Sequence, residues 1–109
     1  PVYEGSIVLL IDGSNMSTSE SFIASLVDSG RARTVGRRTA GASGNPVTFQ
    51  LIGDRQARFS TGTLYRMDGR QIEGQGIQPD VPVTWTLADV YEARDPDIAK
   101  AEGMLLEVK

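Results

Sequence analysis

The chain has 109 residues, with 14 Asp and Glu against 11 Lys and Arg, so its net charge is -3 and it offers no basic field for nucleic acid. That length supports one domain at most, and the composition is that of an ordinary soluble globular protein. Cysteine and histidine are both absent, which excludes disulfides, thiolate or imidazole metal sites, and any Ser-His pair built from these residues alone.

The chain starts at Pro1, with no initiating methionine or signal-like segment, and enters an apolar strand almost at once; a fragment of a longer polypeptide is the expectation. Ile7–Ile11, I-V-L-L-I, is an unbroken run that predicts a strand buried on both faces, and it is far too short to span a membrane. Ser17–Gly30 then predicts an amphipathic helix, with Phe22, Ile23, Leu26 and Val27 on one face and Gly30 as a left-handed C-cap. A serine at such a helix start has two readings. Ser17 and Glu20 fit S-x-x-E, the capping box, and a serine beyond a strand's carboxyl end, where N–H groups are free, is also placed to attack a carbonyl.

Arg31–Val35 predicts the second strand of a right-handed β-α-β unit, and Arg37–Pro46 is loop by composition. Arg37 and Arg38 would either meet a carboxylate or stay at a solvated loop edge. Val47–Ile52 alternates as a half-buried strand, Gly53-Asp54 marks a turn, and Ala57–Arg66 reads as the antiparallel partner with Phe59, Thr61, Thr63 and Tyr65 on one face. Asp68-Gly69 is a second turn. Gln71–Val83 is too rich in glycine and proline for regular structure before a short edge strand at Val81. Thr84 or Thr86 can cap a helix over Leu87–Ala93, and Asp95-Pro96-Asp97 starts another whose Ile98, Ala101 and Leu105 share a face. No repeat or low-complexity segment is present.

Four stretches in this order, V-L-L-I-D-G-S-N-M-S-T-S-E from Val8, G-R-A-R-T-V-G-R-R-T-A-G from Gly30, D-G-R-Q-I-E-G-Q-G-I-Q-P-D-V-P-V from Asp68 and R-D-P-D-I-A-K-A-E from Arg94, resemble the S41 family of serine peptidases. The resemblance implies an α/β fold with a ClpP/crotonase-like β-β-α core, of which residues 1–109 would be the C-terminal portion of the catalytic domain and thus a partial domain. It implies peptide hydrolysis through an acyl-enzyme on Ser17, with the N–H of Thr18 at the helix start helping to hold the oxyanion. Members of the Ser-Lys type carry their lysine in a G-K-G turn, and the matching turn here is Gly41-Ala42-Ser43. Alanine cannot act as a base, and the guanidinium groups of Arg37 and Arg38 stay protonated. The tricorn-like branch instead takes a histidine and a second serine from a segment far upstream, and orients them through a glutamate in E-x-x-G-x-x-P-[DE]. Glu73 matches that glutamate, although it also fits a solvent-facing residue beside a glycine turn.

Asp28 stands where processing peptidases often carry an acid, and reads as an exposed carboxylate at a helix end; Ser43 reads as a polar loop residue able to donate a hydrogen bond. No cofactor and no metal are implied. The expected partners are a peptide or protein substrate and the upstream part of the same polypeptide, with no nucleic acid and no membrane-spanning segment. The residues do not assign a location; family habit favours the bacterial periplasm or cell envelope, whereas tricorn-like members are cytoplasmic. The chain alone is expected to be inactive for want of its base. A ligand-binding or scaffold module on the same fold is the alternative function.

Overall fold

The computed structural model describes residues 2–107. Strands β1 (Val8–Ile11), β2 (Arg33–Gly36) and β5 (Val81–Pro82) form a parallel sheet in the order β1-β2-β5. Helix α1 (Thr18–Asp28) connects β1 to β2, and strands β3 (Val47–Gln50) and β4 (Gln56–Phe59) make a separate antiparallel hairpin. Helices α2 (Leu87–Tyr91) and α3 (Pro96–Glu107) follow, with α3 lying against β1 and β2. The predicted strand, helix, strand unit is therefore present, and the short edge strand at Val81 pairs in register with Val35.

Local signals explain the ends of the helices. Gly30, at φ +71, follows α1, and the bonds from Gly30 N–H to Val27 O (2.9 Å) and from Arg31 N–H to Leu26 O (2.9 Å) complete a Schellman motif. Thr86 and Asp89 form a reciprocal capping box at α2. At α3, Asp95 accepts from the N–H groups of Asp97 and Ile98, with Pro96 at the first helical position.

The buried stripes differ from the apolar periodicity in both long helices, and for one reason. In α1 the buried residues are Glu20, Ile23 and Ala24, while Phe22 is 59% exposed. In α3 they are Asp97, Ala101 and Met104, while Ile98 and Leu105 are only half covered. Each stripe contains a carboxylate that apolar spacing does not register, and each is rotated toward it. The core is Ile11, Ile23, Ala24, Ile72 and Ile77, with Leu9, Val27 and Leu64 packed around it. β1 is not buried on both faces as its composition suggests. Leu9 and Ile11 join the core, but Leu10, on the alternate face of this outer strand, is 46% exposed.

The hairpin also departs from expectation. It is solvent-facing on both sides except at Ala57, and its main apolar contact is the stacking of Phe49 on Phe59 at 4.7 Å. The strand predicted to run to Arg66 stops at Phe59, because the next N–H groups, of Thr61 and Gly62, both turn to the carbonyl of Gly44 at 2.8 Å. Tyr65 keeps only an isolated bridge to Gln71.

The segment from Thr39 to Ser43 has no regular structure, yet five consecutive N–H groups in it have partners. Thr39 donates to Ile77 O, Ala40 to Asn15 O, Gly41 and Ala42 to the Glu20 carboxylate, and Ser43 to Glu73. Glu20 is fully buried and accepts four bonds: Thr39 Oγ1 at 2.5 Å and Gly41 N–H at 2.7 Å on Oε1, Ala42 N–H at 2.9 Å and Ser43 Oγ at 2.6 Å on Oε2. Behind it the turn at Gly76 docks so closely that a Cβ on Gly41 would lie 2.6 Å from Gly76 N, and one on Gly76 would lie 2.4 Å from Thr39 O.

Burial by itself would push the Glu20 carboxyl up, but the bonds from Ser43, Thr39, Gly41 and Ala42 outweigh it and hold its pKa below the ordinary value. Since the folded pKa lies below that of the unfolded chain, the stabilisation is complete above about pH 5 and is lost as pH falls below about 4. Thermal unfolding followed from pH 7 to pH 3 is therefore expected to show a midpoint that drops on acidification. Glu20→Gln, which turns an amide toward donors, should cost about 3 kcal/mol at neutral pH and reduce that acid dependence. An unchanged midpoint and pH profile in the variant would show that the carboxylate does not hold the loop.

Candidate functional site

The loop leaving β1 is tied before it reaches Ser17. Asn15 N–H donates to Asp12 O at 3.1 Å, Asp12 N–H donates to Asn15 Oδ1 at 2.8 Å, and Ala40 N–H donates to Asn15 O at 2.9 Å. Ser17 then sits at the N-cap position of α1 with φ 56 and ψ -125. A positive φ is unfavourable for a residue with a Cβ, so this conformation costs about 1–3 kcal/mol and must be imposed by its surroundings. The imposing contacts are on the backbone: Ser17 N–H donates to Ala42 O at 2.9 Å, and Ser17 O accepts from Glu20 N–H at 2.9 Å and Ser21 N–H at 3.3 Å.

The capping-box reading of Ser17 and Glu20 is corrected by this geometry. An N-cap side chain reaches the N3 N–H from an extended backbone, and at positive φ it cannot do so. Glu20 N–H is satisfied by the Ser17 carbonyl instead, and the Ser17 hydroxyl makes no cap bond. Glu20 for its part turns into the interior to clamp the 39–43 loop. The outcome is an exposed serine hydroxyl, unencumbered among the described residues, at the positive end of a three-turn helix. The neighbouring Thr18 N–H has no partner among the described residues.

Glu73 does not simply face solvent. Its Oε2 accepts from Ser43 N–H at 2.5 Å and its Oε1 accepts from the Ser60 hydroxyl. Ser43 thus joins two carboxylates, giving its N–H to Glu73 and its hydroxyl to Glu20, which is more than the role of a loop polar residue. Ala42 contributes only its backbone, and its methyl group leaves the lysine position without a titrating group.

Asp28 is not an exposed helix-end carboxylate. Its side chain is 9% exposed and is held by the Arg66 guanidinium and by Met67 N–H at 2.9 Å. Burial pushes its pKa up, and those donors more than offset it. It braces the end of α1 away from Ser17. Arg37 does meet carboxylates: it spans Asp97 at 2.8–3.0 Å and Asp12 at 3.5 Å, with Trp85 Nε1 also donating to Asp97 at 3.0 Å. Arg38 donates to Gln75 O. Thr39 lies in the G-R-A-R-T-V-G-R-R-T-A-G stretch with no role of its own assigned and Ser60 lies in no motif, and only the fold brings them to Glu20 and Glu73.

Comparison with known proteins places this arrangement in context. The profile of peptidase family S41 matches residues 1–83. The chain is 33% identical over 100 residues to a carboxy-terminal-processing protease of Bartonella bacilliformis, covering 91% of this chain and 23% of that protein. It superimposes on mature CPAF with a TM-score of 0.74 at 31% identity, covering 81% of this chain and 17% of that one. It also shares its fold with the tricorn protease, at a TM-score of 0.78 and 21% identity, over 94% of this chain and 10% of that one. The chain spans less than a quarter of the length of each of these proteins. The α/β sheet with its helix-start serine is consistent with the ClpP/crotonase-like core expected from the sequence. With the profile matched across most of its length, the chain belongs to peptidase family S41.

Proposed function

We propose that this chain supplies the nucleophile, part of the oxyanion site and an orienting acid of a serine endopeptidase whose general base, a histidine, comes from another segment of the parent polypeptide. One observation carries the reading: Ser17 is held in a strained backbone conformation at a helix N-terminus with its hydroxyl free, although S-x-x-E would otherwise have made a good cap. Strain of that kind gathers at catalytic and ligand-binding positions rather than at ordinary caps, and membership of family S41 favours the catalytic use.

In the proposed reaction Ser17 Oγ attacks the scissile carbonyl carbon as the base takes the hydroxyl proton, and the C=O electrons move to oxygen. The N–H of Thr18, at the positive end of α1, hydrogen-bonds the resulting oxyanion. Collapse of the tetrahedral intermediate breaks the C–N bond, and the leaving amine takes the proton back from the base. Water then attacks the acyl-Ser17 ester by the same route, releasing the acid and restoring the serine. Glu73, fixed against Ser43 N–H, is the acid that orients the base. No described helix is long and apolar enough to cross a membrane.

In the intact parent polypeptide, Ser17→Ala should lower hydrolysis of labelled casein by at least about 10³-fold. It should leave the thermal midpoint nearly unchanged, because the hydroxyl makes no cap bond. Proteolysis that persists in the variant would refute the assignment. The 109-residue chain by itself should show no turnover, and measurable hydrolysis by it would mean that the base lies among these residues.

A further inference from the structure

A cavity of about 300 Å³ opens beside the turn at Gly74–Gly76, walled by Arg38, Arg66 and Arg70 together with Gln71, Gln75 and Gln78. Three guanidinium groups converge there, and no acidic side chain among the described residues lines the space. In a chain of net charge -3 this reverses the average sign of the surface.

Like charges brought together repel, and carboxylates that do not line the cavity offset only part of this. Asp28 Oδ1 accepts from Arg66 Nε at 2.8 Å and from its Nη2, and Asp68 Oδ2 accepts from Arg70 Nε at 2.8 Å and pairs with its Nη2. Both pairs use the same edge of the guanidinium, so Nη1 of Arg66 and Nη1 of Arg70 have no partner among the described residues. Arg38 Nη1 donates to Gln75 O at 2.8 Å, a neutral carbonyl, and Arg38 has no ion pair among the described residues. Three cations thus share two carboxylates, and each keeps unfilled donors. A guanidinium carries five N–H groups in a rigid fork suited to the oxygens of one oxyanion. We propose that this cavity is a binding site for an oxyanionic group, a phosphate or a carboxylate, gripped by Arg38 and Arg70 with the nearly buried Arg66 adding its charge and the glutamine amides completing the donor set. The proposal does not depend on the reaction assigned to Ser17.

The site is joined to the loop that sets Ser17. Arg38 immediately precedes Thr39, Thr39 N–H donates to Ile77 O at 3.1 Å, Ile77 N–H donates to Thr39 Oγ1 at 2.7 Å, and Gly74 N–H donates to Gly41 O at 2.7 Å. An anion held between Arg38 and this turn stabilises the arrangement in which loop and turn are docked.

The test titrates inorganic phosphate into the intact parent polypeptide at constant ionic strength, with chloride as the balancing ion, and reads calorimetry and hydrogen exchange. Exchange at residues 39–41 and 74–77 is expected to slow by about threefold or more at saturation, with the hairpin tip at residues 52–54 unchanged. Arg38→Gln and Arg70→Gln, which remove a charge and keep an amide, should each weaken binding by about 10-fold or more, and Arg58→Gln, on the exposed hairpin strand, by less than about twofold. The Arg70 side chain is 65% exposed, so its variant tests the site even if Arg38→Gln unsettles the fold. An acetylated tetra-glutamate peptide, with its glutamine counterpart as control, separates the sources of the oxyanion. Displacement of phosphate by tighter binding of the glutamate peptide would assign a carboxylate carried on a peptide, and tighter binding of phosphate would assign a free anion. No saturable binding of either, binding that Arg58→Gln weakens as much as Arg70→Gln does, or exchange unchanged at residues 39–41 and 74–77 would each overturn the site.

Discussion

The structure depends on one buried carboxylate. Glu20 projects from the first turn of α1 into the interior, is removed from solvent, and gathers two hydroxyls and two N–H groups from a loop about twenty residues away. An ionised group in that position is tolerable only because its acceptor sites are filled. The consequence reaches back to the helix that bears it. Ordering residues 39–43 fixes the Ala42 carbonyl, that carbonyl holds Ser17 N–H, and the resulting backbone geometry keeps the Ser17 hydroxyl out of the cap.

The same device recurs across the fold. Asp28 anchors the turn at Arg66 and Met67, Glu73 ties Ser43 to Ser60, Asp80 joins β5 to Thr34 on β2, and Asp97 joins α3 to Arg37 and Trp85. All of these partners are distant in sequence. A chain with a small apolar core and long irregular connections has little dispersion energy to spread over its loops. Here carboxylates accepting charge-assisted hydrogen bonds hold those loops instead. The modest negative charge is thus spent on internal anchoring rather than on an external field.

That economy also explains what the sequence revealed and what it concealed. Local patterns carried the order of elements: the I-V-L-L-I run, the Gly30 stop, the Thr86 and Asp95 caps and the edge strand at Val81 are all found where periodicity and turn chemistry put them. Helix faces were less legible, because hydrophobic spacing passes over a buried Glu20 or Asp97 and so assigned Phe22 and Ile98 to the wrong side. The site was half legible. Ser17 and Glu73 stand out by motif, but S-x-x-E also describes a cap, and it is the backbone angle at Ser17 that rules the cap out. Ser60, Thr39 and the true partner of Asp28 depend on pairings across tens of residues that no local spacing encodes.

If the Glu20 carboxylate orders the loop that sets the serine, hydrogen exchange of the segment from Thr39 to Ser43 in the intact parent polypeptide will register it. The amides of this irregular loop should be strongly protected at neutral pH, in contrast to the hairpin tip at residues 52–54, and should lose that protection in Glu20→Gln while β2 keeps its own. Exchange from the loop as fast as from the hairpin tip, or protection indifferent to Glu20, would show that the carboxylate does not order residues 39–43.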